Sequence, residues 1–183
     1  MIRLFGLPLK IKSPPFSPPS GPKSIILSEH FIRSKLCSTT TIEWPLSISE
    51  LKDFSNAIKD FTKVIELTSS YAEAYFNRGL ANYEFSKYSK AIDDFTKAIE
   101  INPEDGDSFF GRGLVKSEIY DYDEAIDDYT AAILLNPEDD RFYYYRGLSK
   151  FEIEDDNGAC EDLKKALELG SPDALTIINE FCD

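Results

Sequence analysis

The chain has 183 residues, 42% hydrophobic and 13% aromatic, so burial of a substantial core is not limited by length or composition. Thirty-three Asp and Glu oppose 20 Lys and Arg, a net charge of −13, and that sign works against phosphate contacts with nucleic acid. The only histidine, His30, precludes a His-based triad or a His-rich metal site, and no run reaches the 18 apolar residues of a membrane span.

Residues 1–45 come first, and they hold seven of the ten prolines, including Pro14-Pro15 and Pro18-Pro19, without helical or strand periodicity. This composition predicts a disordered leader. Residues 1–42 carry six Lys or Arg against one acid, Glu29, whereas residues 43–183 carry 14 against 32, so the charge divides near residue 42. A basic, Ser-bearing, acid-poor leader is similar to an organellar transit peptide, although its Pro clusters interrupt any amphipathic helix. A linker or a mispredicted start fits the same residues. The expected localisation is intracellular and cytoplasmic, or plastid or mitochondrial if the leader is a transit peptide.

Residues 46–71 form a half-repeat, in which Ala57, Ile58, Phe61, Val64 and Ile65 predict one amphipathic helix running to about residue 67. It is expected to act as an N-terminal cap. Residues 72–105 and 106–139 are then two copies of one 34-residue unit: Ala72-Glu-Ala-Tyr-Phe-Asn-Arg-Gly79 returns as Gly106-Asp-Ser-Phe-Phe-Gly-Arg-Gly113, and Ala91-Ile-Asp-Asp-Phe returns as Ala125-Ile-Asp-Asp-Tyr. The units close on Asn102-Pro103 and Asn136-Pro137. A third copy occupies 140–171, with Arg146-Gly147, Ala159-Cys160 and Leu163 in register. Within Ala91–Ile99 the apolar residues fall on one helical face and Asp93, Asp94 and Lys97 on the other, so each unit predicts a helical hairpin. Ser171-Pro172-Asp173 starts a last helix over 172–183, with Ala174, Ile177, Ile178 and Phe181 on one face as a C-terminal cap.

A fixed period of this length signals a stacked array whose stability belongs to the stack. The residues Tyr75, Gly79, Ala91, Phe95 and Pro103, and again Phe109, Gly113, Ala125, Tyr129 and Pro137, resemble the tetratricopeptide repeat signature. Tyr143, Gly147, Ala159 and Leu163 continue it, while Pro45 falls where the family has its Gly and Pro172 comes one residue late. The resemblance covers about residues 54–183. It implies an all-α, right-handed α-solenoid of helix-turn-helix hairpins, no catalytic activity, no cofactor and no metal.

In that family the first helices of successive hairpins line a concave groove that takes a peptide. The resemblance places Glu73, Phe76, Asn77, Leu80, Tyr83 and Glu84 on this face from the first full unit. Asp107, Phe110, Leu114 and Glu118 follow from the second, and Arg141, Tyr144, Tyr145, Phe151 and Glu152 from the third. Packing between first helices is expected to claim about half of the aromatics. Members that clamp the carboxylate tail of a chaperone use Lys, Asn and Arg here, where this chain has Phe76, Leu80, Gly111 and Tyr145, so that role is not expected. The expected function is a scaffold or adaptor holding a protein segment, basic with apolar anchors, in the groove. An organelle-targeted assembly factor is an alternative. RNA binding, as in pentatricopeptide arrays, is disfavoured by the 34-residue period and the acidic balance, and oligomeric state is left open.

The remaining chemistry-bearing residues have plainer readings. Cys37, Cys160 and Cys182 lack CxxC spacing; Cys160 stands at the place of Ile92 and Ile126 and is expected in the core, with the odd count suggesting a reducing compartment. Gly111-x-Gly113 sits in a helix without a preceding strand and is not a nucleotide fingerprint. Arg78, Arg112 and Arg146 stand where the signature has Leu, followed one turn later by Asn82, Lys116 and Lys150. Because partly buried Arg needs a partner, these are expected to form a ladder with the equally periodic Asp60, Asp94, Asp128 and Asp162 of the second helices.

Overall fold

The computed structural model divides the chain into two units, Met1–Glu43 and Trp44–Asp183, and describes residues 54–182. The leader, with His30 and Cys37, lies outside the described residues. Eight helices occur among the described residues: α1 Phe54–Leu67, α2 Ala72–Glu84, α3 Tyr88–Ile101, α4 Gly106–Glu118, α5 Tyr122–Leu135, α6 Asp140–Glu152, α7 Asp156–Leu169 and α8 Pro172–Phe181. Helices α2–α3, α4–α5 and α6–α7 pack as hairpins, each second helix also packs on the next first helix, and the first helices touch one another in order. This is an all-α solenoid.

The helices stay together because one large apolar or aromatic side chain per unit wedges into space that small residues leave. Phe95 on α3 is fully buried, and a Cβ built on Gly79 of α2 or Gly111 of α4 would meet its ring at 3.0 and 2.7 Å. Neither position tolerates a side chain without displacing that ring. Tyr129 repeats the arrangement against Gly113, at 2.7 Å, and Leu163 against Gly147, at 3.1 Å. Ala91, Ala98, Ala125, Ala132, Ala159 and Ala166 complete the close approach, all fully buried. Burial of these stripes against neighbours offsets the marginal stability of a 13- or 14-residue helix alone.

At the start of the described array, Ala57 and Phe61 of α1 bury themselves with Ala81 of α2, so α1 covers the flank of the first full hairpin. At the other end Ala174 of α8 packs on Leu163 and Ala166. Pro172 opens α8 as expected, but the Ser171 side chain makes no capping hydrogen bond.

Two expectations are corrected here. Cys160 is not a free core thiol: it is bonded to Cys182, with Cα atoms 5.7 Å apart. The turn at Gly170, in the left-handed region at φ 114°, folds α8 back along α7 and brings their distant ends together. Asp60 takes no rung of the ladder and instead pairs with exposed Lys63, 3.1 Å away. The place of its missing Arg, 34 residues before Arg78, is held by Trp44, outside the described residues.

Candidate functional site

The polar skeleton that positions the first helices is the ladder. Arg78 reaches Asp94 of its own hairpin at 2.6 Å, Arg112 reaches Asp128 at 2.7 Å and Arg146 reaches Asp162 at 2.6 Å. The second Nη of each Arg donates to a threonine of the preceding second helix: Thr62 at 3.1 Å, Thr96 at 3.1 Å and Thr130 at 3.0 Å. Arg112 and Arg146 therefore each tie two hairpins together, and Arg78 ties the first full hairpin to α1. Lys116 and Lys150 add a second cation to Asp128 and Asp162, at 3.0 and 2.9 Å, while Asn82 donates to Asp94 at 2.8 Å. The threonines recur with the same 34-residue period and could have been read from the sequence.

On the face that the first helices share, the expected residues sort into three groups. The first is buried: Phe110 and Leu114 are 5% and 9% exposed, because Phe110 lies between the rings of Tyr129, Phe142 and Tyr145 at 5.8, 5.1 and 5.4 Å. These two belong to the core rather than to open surface. Phe76 and Leu80 are half-buried against the Phe95 cluster.

The second group is brought together across neighbouring units. Tyr83 donates to Glu118 of the next first helix at 3.4 Å, and burial, reinforced by Glu118 and Glu84, pushes its phenol well above the usual range. Arg141 binds Asp107 at 2.9 Å and its own N-cap Asp139 at 2.6 Å, and its guanidinium stacks over Phe110 at 5.1 Å. Burial opposes its charge, but the two aspartates outweigh that and hold it more firmly protonated. Tyr145 packs edge-on to Tyr144 at 5.3 Å.

The third group is held locally or by the C-terminal cap. Glu73 accepts from Tyr71 at 2.7 Å, and Asn77 donates to the Glu73 carbonyl at 2.7 Å. Tyr144 and Phe151 pack against α8, the latter with Phe181 at 5.9 Å. Glu84 and Glu152 are exposed at the C-terminal ends of α2 and α6. Sequence reasoning missed Asp139, which orients Arg141, and the hydroxyl chain Tyr129–Ser117–Ser149, both links 3.1 Å.

Comparison with known families decides what this array is. The tetratricopeptide repeat model matches residues 72–105, a TPR repeat model matches 50–85, and a further tetratricopeptide repeat model matches 110–174. The chain belongs to the tetratricopeptide repeat family. Among solved structures the repeats are similar to MamA, with 30% identity and a TM-score of 0.64 over 66% of this chain and 71% of that one. The fold is shared with the first TPR of Spaghetti (RPAP3), bound to the HSP90 peptide SRMEEVD, with 23% identity and a TM-score of 0.58 over 60% of this chain and 89% of that one. It is shared equally with the Arabidopsis OM64 TPR domain, at 23% identity and a TM-score of 0.59 over 60% and 93%. Among curated proteins no match is found.

Tetratricopeptide arrays are in general non-catalytic scaffolds for protein partners. Among the described residues no group of three or more His, Cys, Asp or Glu is placed to hold a metal ion, and no helix is long and apolar enough to cross a membrane.

Proposed function

We propose that the array holds a basic protein segment with apolar anchors on the face shared by α2, α4 and α6. The observation that carries this reading is the composition of that face. Glu73, Glu84, Asp107, Glu118 and Glu152 belong to the same first helices as the half-buried Leu80, Tyr83 and Tyr145. Its cation, Arg141, is already engaged by Asp107 and Asp139, so it offers little to an incoming carboxylate. Arg78, Arg112 and Arg146 are likewise engaged, by their aspartates.

Among the described residues an acidic tail such as the one the Spaghetti domain holds finds no unengaged Lys or Arg set on this face, whereas a Lys- or Arg-bearing segment meets the exposed Glu84 and Glu152. Aromatic side chains supply most of the anchoring energy in such grooves, and rim carboxylates raise the association rate and select the sign of the partner. Calorimetry with a synthetic peptide alternating Lys or Arg with Leu and Phe, at two salt concentrations, tests the reading. Affinity falls as salt rises. Tighter binding of an acidic peptide, or affinity indifferent to salt, overturns it.

A further inference from the structure

The third hairpin ends on α8, which lies against it as the first helix of a further hairpin would. Through Ala174, Ile177 and Ile178 it packs on α7, and Ala174 shares that cluster with Tyr144 and Phe151 of α6, two residues of the proposed binding face. The Phe181 ring sits 5.9 Å from that of Phe151.

The disulfide reinforces a short packed stripe. The helix has ten residues, of which Ala174 is the buried one, and Leu175 and Phe181 are 48% and 53% exposed. A helix this short with so small a buried stripe is marginal and belongs to the part of a fold that opens first. Its N-terminal end is joined to α7 through Gly170 and Ser171, and its C-terminal end is joined by Cys160–Cys182. Both cysteines border a cleft of about 330 Å³, lined also by Asn157, Glu161, Lys164 and Phe181, and both are partly exposed. A thiolate can therefore reach the bond.

We propose that Cys160–Cys182 is a redox latch on the binding face: closed, it holds α8 over Tyr144 and Phe151, and opened by a dithiol reductant it frees α8 and uncovers them. The consequence for ligand binding rests on the reading of the groove given above; the latch itself does not. One thiolate of the reductant attacks a protein sulfur and forms a mixed disulfide, and the other cysteine leaves as a thiolate that takes up a proton. The second thiol of the reductant then displaces the first cysteine. The reductant ends as its own disulfide, and the two electrons and two protons it gives up leave Cys160 and Cys182 as thiols.

The test compares the full chain, oxidised and after equilibration with dithiothreitol, with the double variant Cys160→Ser, Cys182→Ser as a bond-free reference. Alkylation in denaturant should label one of the three cysteines before reduction and all three after it. Amide exchange in residues 172–181 should accelerate on the order of tenfold to a hundredfold in the reduced protein and in the variant, with α2 to α5 unchanged. The basic, Phe-bearing peptide should bind the reduced form tighter, on the order of tenfold, the effect of one newly available anchoring ring. Three labelled cysteines before reduction, or equal exchange of α8 in both forms, overturns the latch. Faster exchange without tighter binding overturns its control of the face. If no peptide binds either form, the groove reading fails, and the exchange data still decide the latch.

Discussion

Arg112 and Asp128 form the middle rung of a repeating ion-pair ladder: two guanidinium nitrogens meet the two carboxylate oxygens at 2.9 and 2.7 Å, and the third reaches Thr96 of the preceding hairpin at 3.1 Å. A planar, bidentate pair of this kind is a position where Lys does not substitute for Arg. Asp128 is 4% exposed and also receives Lys116, so its carboxylate neutralises two cations that water reaches poorly.

Removing that carboxylate should therefore cost far more than losing a surface ion pair. Asp128→Ala leaves Arg112 and Lys116 without their shared partner, and the expected loss is about 3–5 kcal/mol by denaturant melts. Asp60→Ala, which removes only the exposed partner of Lys63, is the internal control and should cost about 0–1 kcal/mol. Equal costs would show that the ladder is a solvated row of charges.

The expected capping role of α1 has an equally direct measure. Phe61 is 4% exposed and joins Ala57 and Ala81 in the cluster that closes the first full hairpin. Phe61→Ala should destabilise the array by about 3–5 kcal/mol, the usual cost of truncating a buried aromatic. A change under about 1 kcal/mol, typical of surface sites, would mean that α1 is not needed to cover α2.

Much of this was legible in the sequence, because the period that reveals the hairpins also places Gly79 against Phe95 and Arg78 beside Asp94. What the period cannot convey lies where the repeat stops. The bond between Cys160 and Cys182 depends on α8 folding back at Gly170, an event that happens once and leaves no spacing signature. The burial of Phe110 was hidden for a different reason. Its counterpart in the first unit, Phe76, stays half-exposed, and only the rings of Phe142 and Tyr145 from the third unit close over Phe110.

Three turns between first and second helices share a backbone cost. Ser86, Tyr120 and Glu154, 34 residues apart, all stand at positive φ, 56°, 66° and 64°. A side chain in that region costs roughly 1–2 kcal/mol, which glycine avoids. Glu154 is exposed, so Glu154→Gly should raise stability by about 0.5–1 kcal/mol after the added unfolded-state entropy is subtracted. A lower melting temperature would show that the turn is not strained.

Alkali should unfold the protein through its tyrosines. Burial raises the phenols of Tyr71, Tyr83 and Tyr129 well above their ordinary value near 10, with Glu73 adding to the effect at Tyr71 and Glu118 at Tyr83. A group whose folded pKa is raised contributes stability that is complete below the unfolded value and is lost as pH climbs above it. Stability should thus be flat up to about pH 9 and decline beyond about pH 10. Tyrosinate absorbance should rise in two parts, the second coinciding with loss of helical circular dichroism. A single smooth titration near pH 10 with helices intact would contradict the burial of these rings.

On the proposed binding face anchoring and steering fall to different residues, and kinetics can tell them apart. Tyr83 is half-buried beside Leu80 and Tyr88, with its hydroxyl on Glu118, so truncating it removes an anchor and barely changes the field a basic peptide meets on approach. Tyr83→Ala should raise the dissociation rate by roughly 30-fold, a loss of about 2 kcal/mol, with little change in association. Glu84 is exposed at the end of α2, where it acts on approach rather than in the docked contact. Glu84→Lys should slow association several-fold and weaken its dependence on salt, leaving dissociation nearly unchanged. Both variants are to be measured by stopped-flow with the basic, Phe-bearing peptide at a temperature where melts show full folding, since Tyr83 also packs on Tyr88 at 6.2 Å. If Glu84→Lys leaves the association rate and its salt dependence untouched, carboxylates on this face do not select the partner, and the basic segment is the wrong class of ligand.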